Sequence, residues 1–240
     1  MRILITNDDS VSAAQLLPLI HGCKQYGEVT VVVPKYEQSA KSHSIEIRAP
    51  FEAKPVELEP GITVWTVDST PADCVRFAVT YLKGQYDLVI SGINRGYNLG
   101  DDCLYSGTLA AASEAVNKGI PAIALSTSLK YYSQAIQHLD EIFAYIQENN
   151  LLSANSLYNI NIPPEPKGIR ITCQGGPSFA EEFIPLGDNL YQPAGGFIRH
   201  DGSDTNVDVH AVAAGYISVT PMTINRTEMD VFQKFKQLNA

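Results

Sequence analysis

The feature that most constrains the fold is a set of short, continuous apolar runs that alternate with segments of helical periodicity. Ile3-Leu4-Ile5, Val29-Thr30-Val31-Val32-Val33, Leu88-Val89-Ile90 and Ile120 to Leu125 lack the in-out alternation of a strand with one wet face. Strands of this kind are buried on both sides, as in a parallel sheet covered by helices above and below. Between them, Leu16, Leu17, Leu19, Ile20 and Cys23 fall at helical spacing, as do Cys74, Val75, Phe77, Ala78 and Leu82. Thr70-Pro71-Ala72-Asp73 reads as a helix start, with a capping Thr, a Pro at the first helical position and an acid for the dipole. Asp73 is therefore assigned a structural role. The βαβα order predicts an α/β fold with a mostly parallel sheet.

The rest of the chain is less regular. Ile45-Glu46-Ile47 and Ile62 to Val67 read as strands, and Tyr131 to Gln147 as one long amphipathic helix. Ile169 to Thr172 and Ile217 to Pro221 return to strand, while Gly, Pro and polar residues dominate from about 173 to 207 and suit a protruding β-hairpin. Thr227-Glu228-Met229-Asp230 opens a last helix. The expected organisation is a single domain over 1–240: a core of about 1–172 and 216–224, a hairpin extension of about 173–215 and a C-terminal helix of about 225–240.

The net charge of −9 argues against a nucleic-acid or anionic-membrane surface, so neither a membrane nor a stable nucleic-acid partner is expected. No stretch approaches the roughly 18 consecutive apolar residues of a spanning helix, and the start of the chain has no signal-like pattern. Cys23, Cys74, Cys103 and Cys173 form no CxxC pair, which fits free thiols in a reducing compartment and a cytoplasmic protein.

Chemistry gathers after the strands. Asn7-Asp8-Asp9 follows the first strand, at the sheet edge where ligands bind in open α/β folds. Adjacent carboxylates repel, and a divalent cation beside them keeps both ionised; a turn or helix cap competes as an explanation. The loop from Pro34 to His43 and the stretch from Ser91 to Thr108 are expected on the same edge. The latter carries Gly92, Gly96, Gly100 and Gly107 with Asn94, Asn98, Ser106 and Thr108. The N-terminus of the helix opened by Ser106 offers N–H groups and a positive dipole end to an anion. Neither a Walker loop nor a dinucleotide fingerprint is present.

Taken together, Asn7-Asp8-Asp9, Pro34-x-x-x-Gln38-Ser39, Thr70 to Val75, Ser91-Gly92-Ile93-Asn94-x-Gly96-x-Asn98, Tyr105-Ser106-Gly107-Thr108 and Ser218-Val219-Thr220-Pro221 resemble the SurE survival-protein nucleotidases over essentially the whole chain. The resemblance implies a Rossmann-like three-layer αβα sandwich with a projecting hairpin. It also implies homodimers or homotetramers with a C-terminal segment used in assembly. The implied activity is metal-dependent hydrolysis of nucleoside 5′- and 3′-monophosphates by a metal-activated water. By position, Asp8, Asp9, Ser39 and Asn94 would hold one Mg²⁺ or Mn²⁺ per subunit, with Asp8 and Asp9 the catalytic pair. Asn98, Ser106, Gly107 and Thr108 would surround the phosphate. Oxygen donors of this kind suit a hard cation. His43 and Arg95 are weaker candidates for a leaving-group or substrate contact.

Three positions depart from the family pattern: Ser10 replaces a usual Gly, Glu46 a usual Thr, and Thr205-Asn206 a usual Thr-Asp. A Ser in the Gly position matters if the backbone there takes a positive φ. Competing functions are a metal-dependent glycosyl or nucleotidyl transferase, disfavoured by the absence of a triphosphate or nucleotide-sugar signature, and a catalytically weak nucleotide- or metal-binding regulator.

Overall fold

The computed structural model describes residues 1–240 apart from 178, 199–201 and 240, and the side chains of 197 and 239. The alternation is realised as β1 (Arg2–Thr6), α1 (Leu16–Lys24), β2 (Glu28–Pro34), β3 (Ala53–Glu59), β4 (Ile62–Val67), α2 (Pro71–Thr80), β5 (Leu88–Arg95), α3 (Gly107–Asn117) and β6 (Ala122–Thr127). The second half adds α4 (Leu139–Glu148), α5 (Leu151–Ala154), β7 (Leu157–Ile162), β8 (Ile169–Ile171), β9 (Phe179–Gly187), β10 (Leu190–Phe197), α6 (Asp208–Ala213), β11 (Ile217–Pro221) and α7 (Met229–Phe235).

One nine-stranded sheet runs in the order β3-β4-β2-β1-β5-β6-β7-β11-β8. Its centre is parallel, from β4 through β2, β1, β5 and β6 to β7. Antiparallel pairs occur only towards the edges, β3 on β4 and β11 on β7. The apolar runs explain this directly. Ile3 and Ile5 face one side with α1 and α4, packing against Leu16, Leu19, Ile20, Ile142 and Ile146. Leu4 faces the other with α2 and α3, against Cys74, Val75, Ala78, Ala111 and Ala115. The small residues of α3 let it lie close to the sheet. The expected α/β three-layer sandwich is therefore what forms.

The start of α2 follows its sequence signal. Thr70 Oγ1 accepts from the Asp73 N–H at 3.2 Å with Pro71 at the first position. Asp73 is buried and structural: it pairs with Arg76 at 2.6 Å and accepts from Ser69 Oγ at 2.6 Å.

Several elements differ from the sequence reading, each for a physical reason. Residues 45–47 form no strand. The Glu46 N–H donates to Asp73 Oδ2 at 2.8 Å and Thr70 Oγ1 to the Ser44 carbonyl at 2.8 Å, so the segment hangs on the α2 cap rather than on a ladder. β3 went unread because Pro55 and its charges look unlike a strand, yet an edge strand tolerates both. The long helix over 131–147 is instead a 3-10 helix, Leu129–His138, with a non-helical Tyr131, followed by α4. Asp140 and Glu141 sit in the first turn of α4, a helix-start signal inside the apparent single helix.

β9 and β10 pair only with each other as a two-stranded sheet, and the described parts of both are largely exposed. Tyr191 and Ile198 are exposed there, while the Phe197 side chain lies outside the described residues. α6, inside the stretch read as hairpin extension, is built into the body of the protein. Its Val209 and Val212 pack on Leu99, and six helical residues are too few to show a period in sequence.

Asp208 is fully buried at the start of α6 and accepts from the N–H groups of Gly100 at 2.9 Å, Gly175 at 2.8 Å and Val209 at 2.7 Å. Gly100 has φ +52°, and a side chain there would run into the Gly176 carbonyl. Asp208→Ala would strand these donors, at a cost of roughly 1–3 kcal/mol for each buried group left without a partner. Urea unfolding of Asp208→Ala should show a loss on the order of 3 kcal/mol, and Asp208→Asn a smaller one; wild-type stability in the alanine variant would contradict this account.

Candidate functional site

The chain passes from β1 to β2 on one side, then crosses back to β5 on the other flank of β1. This reversal opens a crevice beyond the C-terminal ends of β1 and β5, the place where open α/β sheets bind ligands. The Asn7-Asp8-Asp9 turn leaves β1 there. β5 extends through Ser91 to Arg95 with an irregularity between Ser91 and Asn94, so Asn94 and Arg95 belong to a strand end rather than a free loop.

The turn is built from within. Asn7 Nδ2 donates to the Ser10 carbonyl at 2.9 Å, and the Ser12 N–H donates to Ser10 Oγ at 3.2 Å. Ser10 is buried with φ +75°, the left-handed region that favours glycine. The sequence departure at Ser10 therefore falls on a position that does take positive φ.

Asp8 is buried, and its Oδ1 accepts from Thr108 Oγ1 at 2.5 Å. Gly107 is the reason α3 comes so near: a side chain at 107 would stand 2.9 Å from both Cβ and Oδ2 of Asp8. Burial pushes the Asp8 carboxyl up to about 6, opposed by the Thr108 hydroxyl and assisted by the charge of Asp9. Asp9 accepts from the Arg95 N–H through Oδ2 at 2.8 Å. Its pKa is also raised, first by burial, with the Arg95 N–H acting against it and the Glu37 charge adding to it. Ser106 caps α3, accepting from the Leu109 N–H at 3.0 Å. Asp8, Gly107 and Thr108, a hundred residues apart in sequence, thus meet at one point.

The loop after β2 is tied to the same place. The Gln38 N–H donates to the Asp8 carbonyl at 2.8 Å, and Ser42 donates through N and Oγ to the carbonyls of Tyr105 and Leu104 at 3.0 and 2.7 Å. Ser39 is exposed and its Oγ donates to Glu37 Oε1 at 2.7 Å. Asn94 donates through Nδ2 to the Gly96 carbonyl at 2.9 Å. His43 is engaged with α3: its Nε2 lies 3.0 Å from Glu114 Oε2, which also pairs with Lys118. Burial works against the Glu114 carboxylate, and the His43 and Lys118 hydrogen bonds together outweigh it, so its pKa is lowered. His43 thus latches the Ser39 loop to α3.

Asn98 occupies an interior position. Its Nδ2 donates to Ser126 Oγ at 2.7 Å, its N–H to Asn161 Oδ1 at 2.9 Å, and its carbonyl accepts from Asn159 and Asn161 at 2.8 and 3.0 Å. The sequence reading missed Asn159, Asn161, Ser126, Glu114 and Asp208. Two asparagines at alternate positions of the otherwise apolar run Leu157 to Ile162 were the available signal; a buried amide needs a partner.

A cleft of about 660 Å³ opens beside the acidic pair. Asp9, Ser39 and Arg95 line it, with Tyr36, Leu129 and Tyr132 on its walls. Among the described residues no three His, Cys, Asp or Glu side chains gather as a metal cluster. The adjacent pair therefore offers two carboxylates, Glu37 lines the cleft without gathering with them, and neutral oxygens are left to complete a cation's shell. That donor set, all oxygen and with two carboxylates whose ionisation burial opposes, fits a hard divalent ion.

The family model for the survival protein SurE matches residues 3–181 of the chain. A 5′-nucleotidase SurE of Pelotomaculum thermopropionicum is 38% identical over 251 residues, covering 99% of this chain and 95% of its own length. That of a Thermoanaerobacter species is 39% identical over 242 residues, covering 96% and 95%. The crystal structure of the SurE protein from Aquifex aeolicus superposes with a TM-score of 0.83 at 31% identity, covering all of both chains.

Two measurements test the local physics. Ser10→Gly relieves a left-handed serine and should raise stability by about 1 kcal/mol; thermal unfolding at or below the wild-type temperature would contradict the strain. In chelator, the native state keeps the Asp8 proton up to about pH 6, whereas the unfolded chain loses it near pH 4. The folded form thus binds the extra proton between these values, and stability falls as pH rises through that window. Relative to Asp8→Asn, the wild type should lose about 2 kcal/mol from pH 4 to 6.5; parallel profiles would exclude the buried carboxyl as the cause.

Proposed function

We infer the reaction from one premise: the chain belongs to the SurE survival-protein family. It is a nucleotidase, a phosphoric monoester hydrolase whose substrates are nucleoside 5′-monophosphates. Action on 3′-monophosphates is part of the same proposal. The observation that carries the chemistry is the meeting of Asp8, Asp9 and the first turn of α3 at the reversal of strand order.

A single divalent ion per subunit, Mg²⁺ or Mn²⁺, is proposed to be held by Asp8, Asp9, Ser39 and Asn94. When bound, it supplies charge neutralisation at the phosphoryl oxygens and acidifies a water. The protein's own groups do the rest. The Thr108 hydroxyl and the Arg95 N–H fix the two carboxylates in orientation, which is the pre-organisation that catalysis requires. Gly107 and Thr108 present N–H groups that a helix cannot satisfy internally, that of Thr108 being turned toward the Asp8 carboxyl. With the Ser106 hydroxyl and Asn98, they are proposed to stabilise charge on the phosphoryl oxygens. With both aspartates holding the ion, neither would be free as a covalent acceptor, and water is the proposed nucleophile.

Assembly is proposed as a homodimer or homotetramer. Phe183, Leu186, Leu190 and Tyr191 of the hairpin, and Val231, Phe232 and Phe235 of α7, are exposed, and apolar surface of this extent marks an interface. No helix among the described residues is long and apolar enough to cross a membrane.

Phosphate release from 5′-AMP, 3′-AMP and p-nitrophenyl phosphate, with and without Mg²⁺ or Mn²⁺, tests the reading. Asp8→Asn and Asp9→Asn should each lower kcat/KM for 5′-AMP by about 100-fold or more, and Ser106→Ala by less. Full activity in both aspartate variants, or release that ignores chelator, would overturn the assignment. Retained cation binding without any phosphate release would identify a regulator instead.

A further inference from the structure

The cleft beside Asp9 is larger than a phosphoryl group requires and lies in the range of pockets that hold a drug-sized molecule. Its polar lining comprises Asp9, Ser39 and Arg95 together with Lys35 and Glu37, and two of its lining residues carry large exposed side chains that the core does not use. Tyr36, on the loop after β2, is 59% exposed, and Leu129, at the start of the 3-10 helix after β6, is 56% exposed. Two large apolar groups held in solvent by separate loops, on one cleft, point to a ligand surface rather than to packing.

Tyr36 is also pre-oriented. The Lys35 ammonium stands 5.2 Å from its ring centroid and is itself held by Glu52 at 3.0 Å and Asp68 at 3.6 Å. A ring fixed in this way presents a flat surface at little ordering cost. Leu129 comes from a loop that Ser128 leads in extended conformation, so the two walls are supplied by the loops of β2 and β6 on either side of the β1–β5 crevice.

We propose that Tyr36 and Leu129 form a nucleobase subsite, in which the base of the substrate lies against these apolar walls while its phosphate points to the acidic pair and α3. The proposal rests on the nucleotidase reading and adds to it the residues that distinguish a nucleotide from a sugar phosphate. Face contact with an aromatic ring is available to every base.

The full chain is assayed with 5′-AMP and with ribose 5-phosphate, which has a hydroxyl at C1 in place of the base, and its affinity for adenosine is measured by calorimetry. Tyr36→Ala and Leu129→Ser should each reduce the preference for 5′-AMP over ribose 5-phosphate, as a ratio of kcat/KM, by about 10-fold. They should weaken adenosine binding by a similar factor, and Tyr36→Phe should retain both. An unchanged ratio, or equal losses on the two substrates, would overturn the subsite. If the wild type releases phosphate from neither, the nucleotidase reading fails by itself. Adenosine binding then still decides the subsite: equal affinity in wild type and variants overturns it, and selective loss upholds it.

Discussion

Two neighbouring carboxylates at the edge of a buried sheet are the constraint around which the rest of the site is arranged. Burial alone disfavours their charge, and Asp8 responds with a carboxyl near 6. The structure meets this demand with donors brought from distant segments: the Thr108 hydroxyl for Asp8 and the Arg95 N–H for Asp9. Glycine at 107 is what permits the first of these, since a side chain there would stand against the Asp8 carboxyl. The loop of Ser39 is drawn in through Asp8's own carbonyl. One turn of chain thus sets the position of three others.

A second layer of polar contacts lies beneath and beside that turn. Asn159, Asn161 and Ser126 surround Asn98, and Asp208 gathers the N–H groups of Gly100 and Gly175. Buried amides and carboxylates are costly unless partnered, and most of these groups are, Asn159 Oδ1 being without a partner among the described residues. Their presence here is explained by the irregular backbone between β5 and α3, whose N–H and carbonyl groups have no ladder of their own. The interior polar network substitutes for secondary structure under the glycine-rich stretch.

Much of this was legible in the order of residues. The uninterrupted apolar runs required a doubly covered parallel sheet, Thr70-Pro71-Ala72-Asp73 marked the start of α2, and Ser106 marked that of α3. The acidic pair and the start of α3 were expected on one sheet edge, and the structure brings them together there. What escaped notice were elements whose neighbours, not their own pattern, stabilise them: the edge strand β3 with its proline, the six-residue α6 and the kinked segment before α4. His43 gained its role only from Glu114 on α3, seventy-one residues later in the chain.

The sequence by itself determined the layered α/β architecture, the acidic turn after the first strand and the capped helix that faces it, because periodicity and capping are local and act over a few residues. Tertiary structure alone decided which atoms meet: that Thr108 reaches Asp8, that Asp208 holds the chain near Gly100, that Ser10 must bend left-handed, and that Tyr36 and Leu129 share one cleft. These depend on strand order and on the close approach of α3 to the sheet, and no local pattern encodes the distance between segments that the chain itself keeps a hundred residues apart.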